Sequence, residues 1–387
     1  MDVLAVNVGS TSLKCAVFGE SDRVRCRGKA GRVASEGAVL VHESDGAKTD
    51  LPLPRPGLEA ALEVMVDALR PLLADIAAVA FKVVHGGEDA TGVVFLDDAA
   101  LAALERFSPA APAHNPPCLL AIRHLRRILP EVPLVGSFET GFHAGWAREA
   151  RAYALPAGWA ERFGLRRYGF HGASHRYVSE RMAELEPGAR RVLSCHLGGS
   201  SSVCAIVDGR SVDATMGFSP QSGLPQAERV GDLDAFALVH LAAAGVPLHE
   251  AAEALASRGG LLGLSGLSGD LQELEAAEAS GHEGAALALD VYAYEARKAI
   301  GALAAAMGGL DAVAFTGGIG ENSPRLRERI CRGLEFLGIA LDPVRNDRAA
   351  GEARVSPEGG RVQVFVVPTD EERILVRQAR ELLASQS

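Results

Sequence analysis

Leu4-Ala-Val-Asn-Val-Gly-Ser-Thr-Ser-Leu-Lys-Cys-Ala-Val-Phe18 lines up without a gap against Leu193-Ser-Cys-His-Leu-Gly-Gly-Ser-Ser-Ser-Val-Cys-Ala-Ile-Val207. The pairs Leu4/Leu193, Gly9/Gly198, Ser12/Ser201, Cys15/Cys204 and Ala16/Ala205 are identical. Each copy is an apolar run, a Gly/Ser turn and a second apolar run, which is the pattern of two tightly joined strands. The second copy continues through Asp208-Gly209, a strong two-residue hairpin signal, into Arg210-Ser-Val-Asp213. One such hairpin early in the chain and one near its middle predict a duplicated domain with a cleft between the halves.

Strands and helices alternate outward from both hairpins. Residues 77–84 and 132–136 read as strands, and 57–73 and 117–129 carry helical apolar spacing. In the second half 232–243, 247–257 and 281–306 read as helices, and 311–316 and 362–367 as buried strands. Ser323-Pro324 reads as a helix start, with Ser as N-cap and Pro in the first turn. Thr369-Asp-Glu-Glu372 reads as a capping box that opens the last helix. The Pro-rich pieces 52–56 and 109–117 read as loops. We expect an N-terminal domain over 1–145, with the helix of 373–387 packing back on it, and a C-terminal domain over 146–372.

Composition narrows the function. The chain has 387 residues, long enough for two domains with sizeable cores. It is 48% hydrophobic but only 5% aromatic, so Ala, Val and Leu must fill those cores, as suits an α/β enzyme. A net charge of -10 with no long basic run argues against a nucleic-acid or anionic-membrane partner. No secretory signal is visible, and no apolar run approaches the ~20 residues needed to span a bilayer. Cys15, Cys26, Cys118, Cys195, Cys204 and Cys331 show no CxxC spacing. They read as reduced packing residues of a cytoplasmic protein rather than as zinc ligands or disulfides.

The Gly/Ser turns suggest phosphate. In Asn7-Val-Gly-Ser-Thr-Ser-Leu-Lys14 the turn offers backbone N–H groups and hydroxyls to phosphate oxygens without bulky side chains in the way. No Walker A loop is present, and taken alone the segment reads first as an ordinary hairpin turn. A second copy, His196-Leu-Gly-Gly-Ser-Ser-Ser202, shifts the balance. A third small-residue turn, Thr316-Gly-Gly-Ile-Gly-Glu-Asn322, follows a buried strand and precedes a helix. Together the three favour ATP binding.

With these segments the chain resembles the acetate/propionate/butyrate kinase family nearly end to end. The resemblance rests on Asn7–Lys14, Val83-Val-His-Gly-Gly87, Ala113-His-Asn-Pro-Pro117, Phe138-Glu-Thr-Gly-Phe-His143, Arg167-Tyr-Gly-Phe-His-Gly-Ala-Ser-His175, His196–Ser202, Met216-Gly-Phe-Ser-Pro220, Phe315–Ser323 and Pro368-Thr-Asp-Glu-Glu372. It implies an α/β fold of duplicated ribonuclease-H-like domains, of the actin/Hsp70/sugar-kinase type, flanking an ATP cleft. It also implies a homodimer, with ATP and Mg²⁺ (or Mn²⁺) as cofactors and a small carboxylate as substrate. The 146–372 domain would then be the nucleotide-binding one.

The resemblance also implies roles. Asn7 and Glu371 would organise the metal and the phosphates. Arg229 would bind the carboxylate and then the transferring phosphoryl group, His171 would hold the phosphoryl in transit, and His114 would line the same site. Ser10, Ser12 and Lys14 would form the first phosphate loop, and His196, Gly198, Gly199 and Ser200 the second. Asp270, Gln272, Gly318, Ile319 and Asn322 would bear on the nucleotide. Val84, Ala113, Phe170 and Pro220 would shape the apolar pocket for the acid. Each residue has a plainer reading too. Arg229 beside Glu228 suits a surface ion pair, His171 and His175 suit a core or a helix start, and Glu371 suits the first turn of a helix. The implied chemistry is direct in-line transfer to an already ionised carboxylate, which needs no general base.

Departures from the family cluster at the substrate. Lys82 stands where the family carries Arg, so charge is kept and the bidentate fork is lost. Glu139 stands for Asp, one methylene longer, and the two changes are expected to compensate each other. Gly199-Ser200 replaces Asn-Gly, Asp270-Leu271-Gln272 replaces Asp-Phe-Arg, and Ala113 replaces Leu, which enlarges the acid pocket. A kinase for a longer acid such as butyrate, or a catalytically weak nucleotide-binding member of the same fold, are the alternative expectations.

Overall fold

The structure, a computed structural model, describes residues 1–9 and 11–386. Those residues divide into two compact units, Met1–Ala144 with the segment from Asp370 onward, and Gly145–Thr369. In the first unit the strands are β1 (Asp2–Val8), β2 (Ser12–Phe18), β3 (Val24–Gly31), β4 (Val39–Ser44), β5 (Ala47–Pro52), β6 (Ile76–Val83), β7 (Val93–Phe95) and β8 (Leu134–Phe138). In the second they are β9 (Arg191–His196), β10 (Ser202–Val207), β11 (Arg210–Ala214), β12 (Ala312–Thr316), β13 (Ala353–Arg354) and β14 (Gln363–Val366).

The sheet orders show the duplication. The first sheet runs β5-β4-β3-β2-β1-β6-β8-β7 and the second β11-β10-β9-β12-β14-β13. The stretch β3-β2-β1-β6-β8-β7 matches the whole second sheet in order. It also matches in sense: two antiparallel pairs, two parallel pairs, then an antiparallel edge. Each unit is therefore an α/β domain of ribonuclease-H-like topology. The gapless hairpin match conceals a one-residue slip. Asn7 faces Lys14 in the first ladder, whereas its counterpart His196 faces Ser202, the counterpart of Leu13. A slip of one exchanges the faces of the returning strand, so matched positions on β2 and β10 do different work.

The central strands are buried on both faces. Leu4, Val6 and Val8 of β1 pack into one core with Leu62 and Met65 of the helix Leu58–Leu69 and Ile122 and Leu125 of the helix Asn115–Ile128. Val3 and Ala5, by alternation, serve the opposite face, and the helix Glu371–Ala384 packs against β1, β6 and β8. In the second unit Leu193, Cys195, Val313 and Phe315 share a core with Tyr292, Ala296 and Ile300 of the helix Glu283–Ala306. The helix Gly172–Leu185 packs against β9 and β12. Each sheet is thus covered by a helix that follows the other unit's last strands in sequence.

Several local expectations change. β3, β4 and β5 were not apparent, because their faces alternate with exposed charge, as in Arg25, Arg27 and Lys29. Their one clear signal is Asp45-Gly46, a two-residue turn with both φ angles positive, 51° and 79°, like Asp208-Gly209 at 49° and 78°. The last helix is capped by Asp370, which accepts from the Arg373 N–H, and not by Thr369. Thr369 instead extends the chain beyond β14, with its own N–H directed to Glu321. Residues 317–322 are not an open turn but a short helix, Gly317–Asn322, ahead of the Ser323-capped helix Pro324–Cys331. The helix of 117–129 begins two residues earlier, at Asn115, inside the expected 109–117 loop.

That short helix is anchored by Arg327, 1% exposed, whose guanidinium donates to the carbonyls of Gly320, Glu321 and Asn346 and to Asn346 Oδ1. Arg327→Met would leave those buried acceptors unmet, at a cost of about 3 kcal/mol. Scanning calorimetry should then show the melting transition lowered by roughly 6–12 °C. An unchanged transition would mean that Arg327 anchors nothing.

Candidate active site

In the first unit the polar candidates sit at the carboxyl ends of parallel strands. Asn7 lies near the end of β1 and Lys82 near the end of β6, and Glu139 follows β8 directly. Lys82 Nζ is 2.7 Å from Glu371 Oε2 and 3.7 Å from Glu139 Oε2. Its side chain is only 14% exposed, and Glu139 is 2% exposed. Burial disfavours the ammonium, but Glu139 and then Glu371 outweigh it and raise the Lys82 pKa above its ordinary value. Lys82 and Glu139 thus face each other as an ion pair. Glu371 gains further from standing in the first turn of its helix.

The carboxylates of Glu371 and Glu139 hold one cationic atom between them, so this cluster suits positive charge. Among the described residues no group of three or more His, Cys, Asp or Glu is placed to hold a metal ion. A magnesium ion commonly takes only one or two carboxylates together with phosphate oxygens and water, and Glu371 is a carboxylate that could serve so. Lys14 is exposed and Ser12 half-buried, with the Ser12 carbonyl closing the turn on the Gly9 N–H at 2.9 Å. Ser10 lies outside the described residues. His114 is the residue before the helix Asn115–Ile128, and Val84 and Ala113 are half-buried in this same unit.

In the second unit three consecutive serines divide the work. Ser200 Oγ donates to Gln226 Oε1 at 2.8 Å and accepts from Arg229 Nη1 at 3.2 Å. Ser201 Oγ lies 2.7 Å from the Tyr292 hydroxyl and donates to the Gly198 carbonyl, which fixes the loop on the helix Glu283–Ala306. Ser202 Oγ is 2.8 Å from both His171 Nδ1 and His175 Nε2. Gly199 closes the loop by accepting from the Ala227 N–H.

Arg229 is held along one edge. Its Nη1 donates to Ser200 Oγ, to Gln226 Oε1 at 3.1 Å and to the Pro220 carbonyl at 3.3 Å, and all three acceptors are uncharged. Gln226 is fully buried and donates to the same Pro220 carbonyl at 2.9 Å. Burial pulls the guanidinium below its ordinary pKa and Glu228 opposes that, yet an arginine stays charged. Gln226 was not apparent in the sequence, since it sits in an irregular segment without periodicity. Phe170 and Pro220 are buried in this unit.

His171 precedes the helix Gly172–Leu185 with a left-handed φ of 58°, a conformation a non-glycine residue keeps only where its surroundings impose it. Its ring stacks on that of His196 at 4.3 Å, and Ser174 Oγ lies 2.7 Å from His196 Nδ1. The Thr316–Asn322 segment closes on the second hairpin loop, because the Leu197 carbonyl accepts from the Ile319 N–H at 2.8 Å. Gly317 has a φ of 77°, and a Cβ there would lie 2.6 Å from that same carbonyl. Gly318 faces open space, and its carbonyl accepts from the Asn322 side chain. Asp270 spends one carboxylate oxygen capping its own helix at Gln272 and Glu273, and Gln272 is exposed beside it.

Comparison with known proteins finds relatives over nearly the whole chain. The acetokinase family model matches residues 2–377. An acetate kinase of Pseudothermotoga lettingae is 40% identical over 397 residues, covering 100% of this chain and 98% of its own length. One of Thermosipho melanesiensis is also 40% identical, covering 99% and 98%. Among solved structures, Porphyromonas gingivalis acetate kinase superposes with a TM-score of 0.88 at 36% identity, covering 99% of each chain. A propionate kinase from Francisella tularensis superposes with a TM-score of 0.91 at 30% identity, covering 97% and 98%.

Lys82→Met would leave Glu139 and Glu371 without their shared cation and lower folding stability by about 3 kcal/mol near pH 8. A raised lysine pKa contributes stability that is complete below the unfolded value of ~10.4 and lost as pH rises through the folded value. The gap in urea midpoint between wild type and variant should therefore narrow as pH climbs above 10. A gap that widens there would contradict the charge cluster.

Proposed function

The chain belongs to the acetokinase family, and on that premise we propose that it moves the γ-phosphoryl group of ATP, reversibly, onto the carboxylate of a short-chain acid, giving an acyl phosphate and ADP. The observation that supports this best is the Arg229 cradle. Three neutral oxygens orient the guanidinium, whose planar fork suits a carboxylate or a phosphoryl group.

Acceptor and donor are both anions, and phosphoryl transfer needs alignment and charge neutralisation more than covalent chemistry. Arg229 binds the carboxylate and then the phosphoryl oxygens, and His171 donates to the phosphoryl in transit. The acid is already ionised at neutral pH, so no side chain has to remove a proton. In the first unit Asn7 and Glu371 are the residues that would hold Mg²⁺ or Mn²⁺, which supplies charge neutralisation on the ATP phosphates. Lys82 keeps Glu139 and Glu371 oriented, and Ser12 and Lys14 border the first phosphate loop. Gly198, Gly199 and Ser200 leave room for phosphate at the second, and Gly318, Ile319 and Asn322 border the nucleotide. Val84, Ala113, Phe170 and Pro220 set the length of acid accepted. Ala113 in place of a larger side chain favours an extra methylene or two.

Hydroxylamine trapping of acyl phosphate, with MgATP and acids from formate to hexanoate, tests both points. Propionate should be used at least as well as acetate. Equal rejection of propionate and butyrate would refute the enlarged pocket, and no product with any acid would refute the acyl-kinase reading.

The chain also acts as a homodimer. The helix Ala235–Ala243 has no buried residue although it reads Ala-Phe-Ala-Leu-Val-His-Leu-Ala-Ala. Phe236 is 76% exposed, and Val239, Leu233 and Leu248 join it on the surface. Burying each large side chain against a second copy would contribute about 2 kcal/mol. Phe236→Asp with Val239→Asp should halve the mass seen by sedimentation, and a variant that stays dimeric would move the interface elsewhere. No helix among the described residues is long and apolar enough to cross a membrane. Six free, buried cysteines support a reducing, cytoplasmic setting.

A further inference from the structure

Behind His171 runs a buried chain of hydrogen-bonding groups with no role in the transfer as described above. Ser194 Oγ is 2.8 Å from His175 Nδ1, His175 Nε2 is 2.8 Å from Ser202 Oγ, and Ser202 Oγ is 2.8 Å from His171 Nδ1. Ser194, His175 and Ser202 are all 0% exposed, so bulk water is no substitute for any member.

Proton counting restricts this chain to two arrangements. A hydroxyl has one proton, and a neutral imidazole has one N–H and one bare nitrogen. Ser202 faces two ring nitrogens, so it donates to one and accepts from the other. His175 lies between two hydroxyls under the same rule. In the outward sense Ser194 donates to His175 Nδ1, His175 Nε2–H donates to Ser202, and Ser202 donates to His171 Nδ1. His171 then carries its own proton on Nε2. In the inward sense every bond reverses, and a neutral His171 presents a bare Nε2 lone pair, which repels an anionic oxygen. Reversing a single member would set two lone pairs or two protons against each other at 2.8 Å. A second proton on His171 would reverse the chain as well, and would place the charge 4.3 Å from the stacked His196 ring.

We propose that Ser202, His175 and Ser194 are positioning residues that lock His171 as its neutral Nε2–H tautomer, so that the ring has one N–H to give to a phosphoryl oxygen. This rests on His171 meeting the phosphoryl group, and it adds which nitrogen does so and what holds it there. The slipped register of the second hairpin is what makes the lock possible, because it sets Ser202 directly across from His196, on the face where His171 and His175 lie.

The lock is read by long-range ¹H–¹⁵N correlation spectra of the full chain with labelled histidine and saturating inorganic phosphate, whose anionic oxygens select between the two arrangements. Both His171 and His175 should appear as Nε2–H tautomers. In Ser202→Ala, His171 should become a mixture of tautomers, and kcat for acyl phosphate formation should fall on the order of 10-fold or more while KM for ATP stays within about 2-fold. Ser202→Thr, which keeps the hydroxyl, should restore both the tautomer and most of kcat. A wild-type His171 found as Nδ1–H, or a Ser202→Ala variant with unchanged tautomer and kcat, would overturn the proposal. The wild-type spectrum decides even where a variant fails to fold. It also decides independently of turnover, so a chain that makes no acyl phosphate would sink the kinase reading and leave the lock standing.

Discussion

A parallel strand covered on both faces can meet a ligand only where it ends. β1 and β6, like β9 and β12, are sealed by helices on each side, and their interiors are apolar apart from Ser194 of β9, whose hydroxyl is taken by His175. Asn7, Lys82 and Glu139 in one unit, and His196 and Thr316 in the other, occupy the last positions of such strands or the residue just beyond. Side-chain choice there is released from the core and constrained by the ligand instead. The rest follows from that geometry. The loops that leave those ends must be small enough for phosphate to approach, and the helices that begin there bring Glu371 and the residues after His171 into place.

The two units solve the handling of a cation in opposite ways. Lys82 is surrounded by carboxylates and its charge is largely neutralised where it stands, so it serves to order Glu139 and Glu371. Arg229 is oriented by a hydroxyl, an amide oxygen and a backbone carbonyl, none of which carries charge. A lysine suits the first task, because a compact ammonium can sit between two acids, and an arginine suits the second, because one edge of its fork can be tied while the other is offered. The Ser200 hydroxyl is one of the three acceptors that tie the Arg229 Nη1 group.

The duplication was legible because strand pairs with identical small-residue turns leave a pattern that survives without alignment. The inner strands and long helices were legible through periodicity. β3 to β5 were not, because a sheet margin with one solvated face mixes charge into its alternation. Asn7, His171, Arg229 and Glu371 were picked out by the family resemblance, since by residue type and neighbourhood alone each has a plainer reading. Gln226 and Ser202 do not, since what distinguishes them is a buried partner far along the chain. Within Ser200-Ser201-Ser202, three identical letters go to an arginine, a tyrosine and a pair of histidines. Asp370 rather than Thr369 caps the last helix because the helix starts at Glu371, which puts the Asp370 carboxylate just ahead of its first turn.

The helix Glu371–Ala384 covers the sheet of the first unit although it is made after the whole second unit. During synthesis that sheet leaves the ribosome with one face bare, and Val3, Ala5 and Ala80 stay without their cover until this helix emerges. The first sheet is therefore sealed only after the second has been made. A nascent chain of this kind stays exposed to chaperones, and to wrong partners, while its second unit is being added.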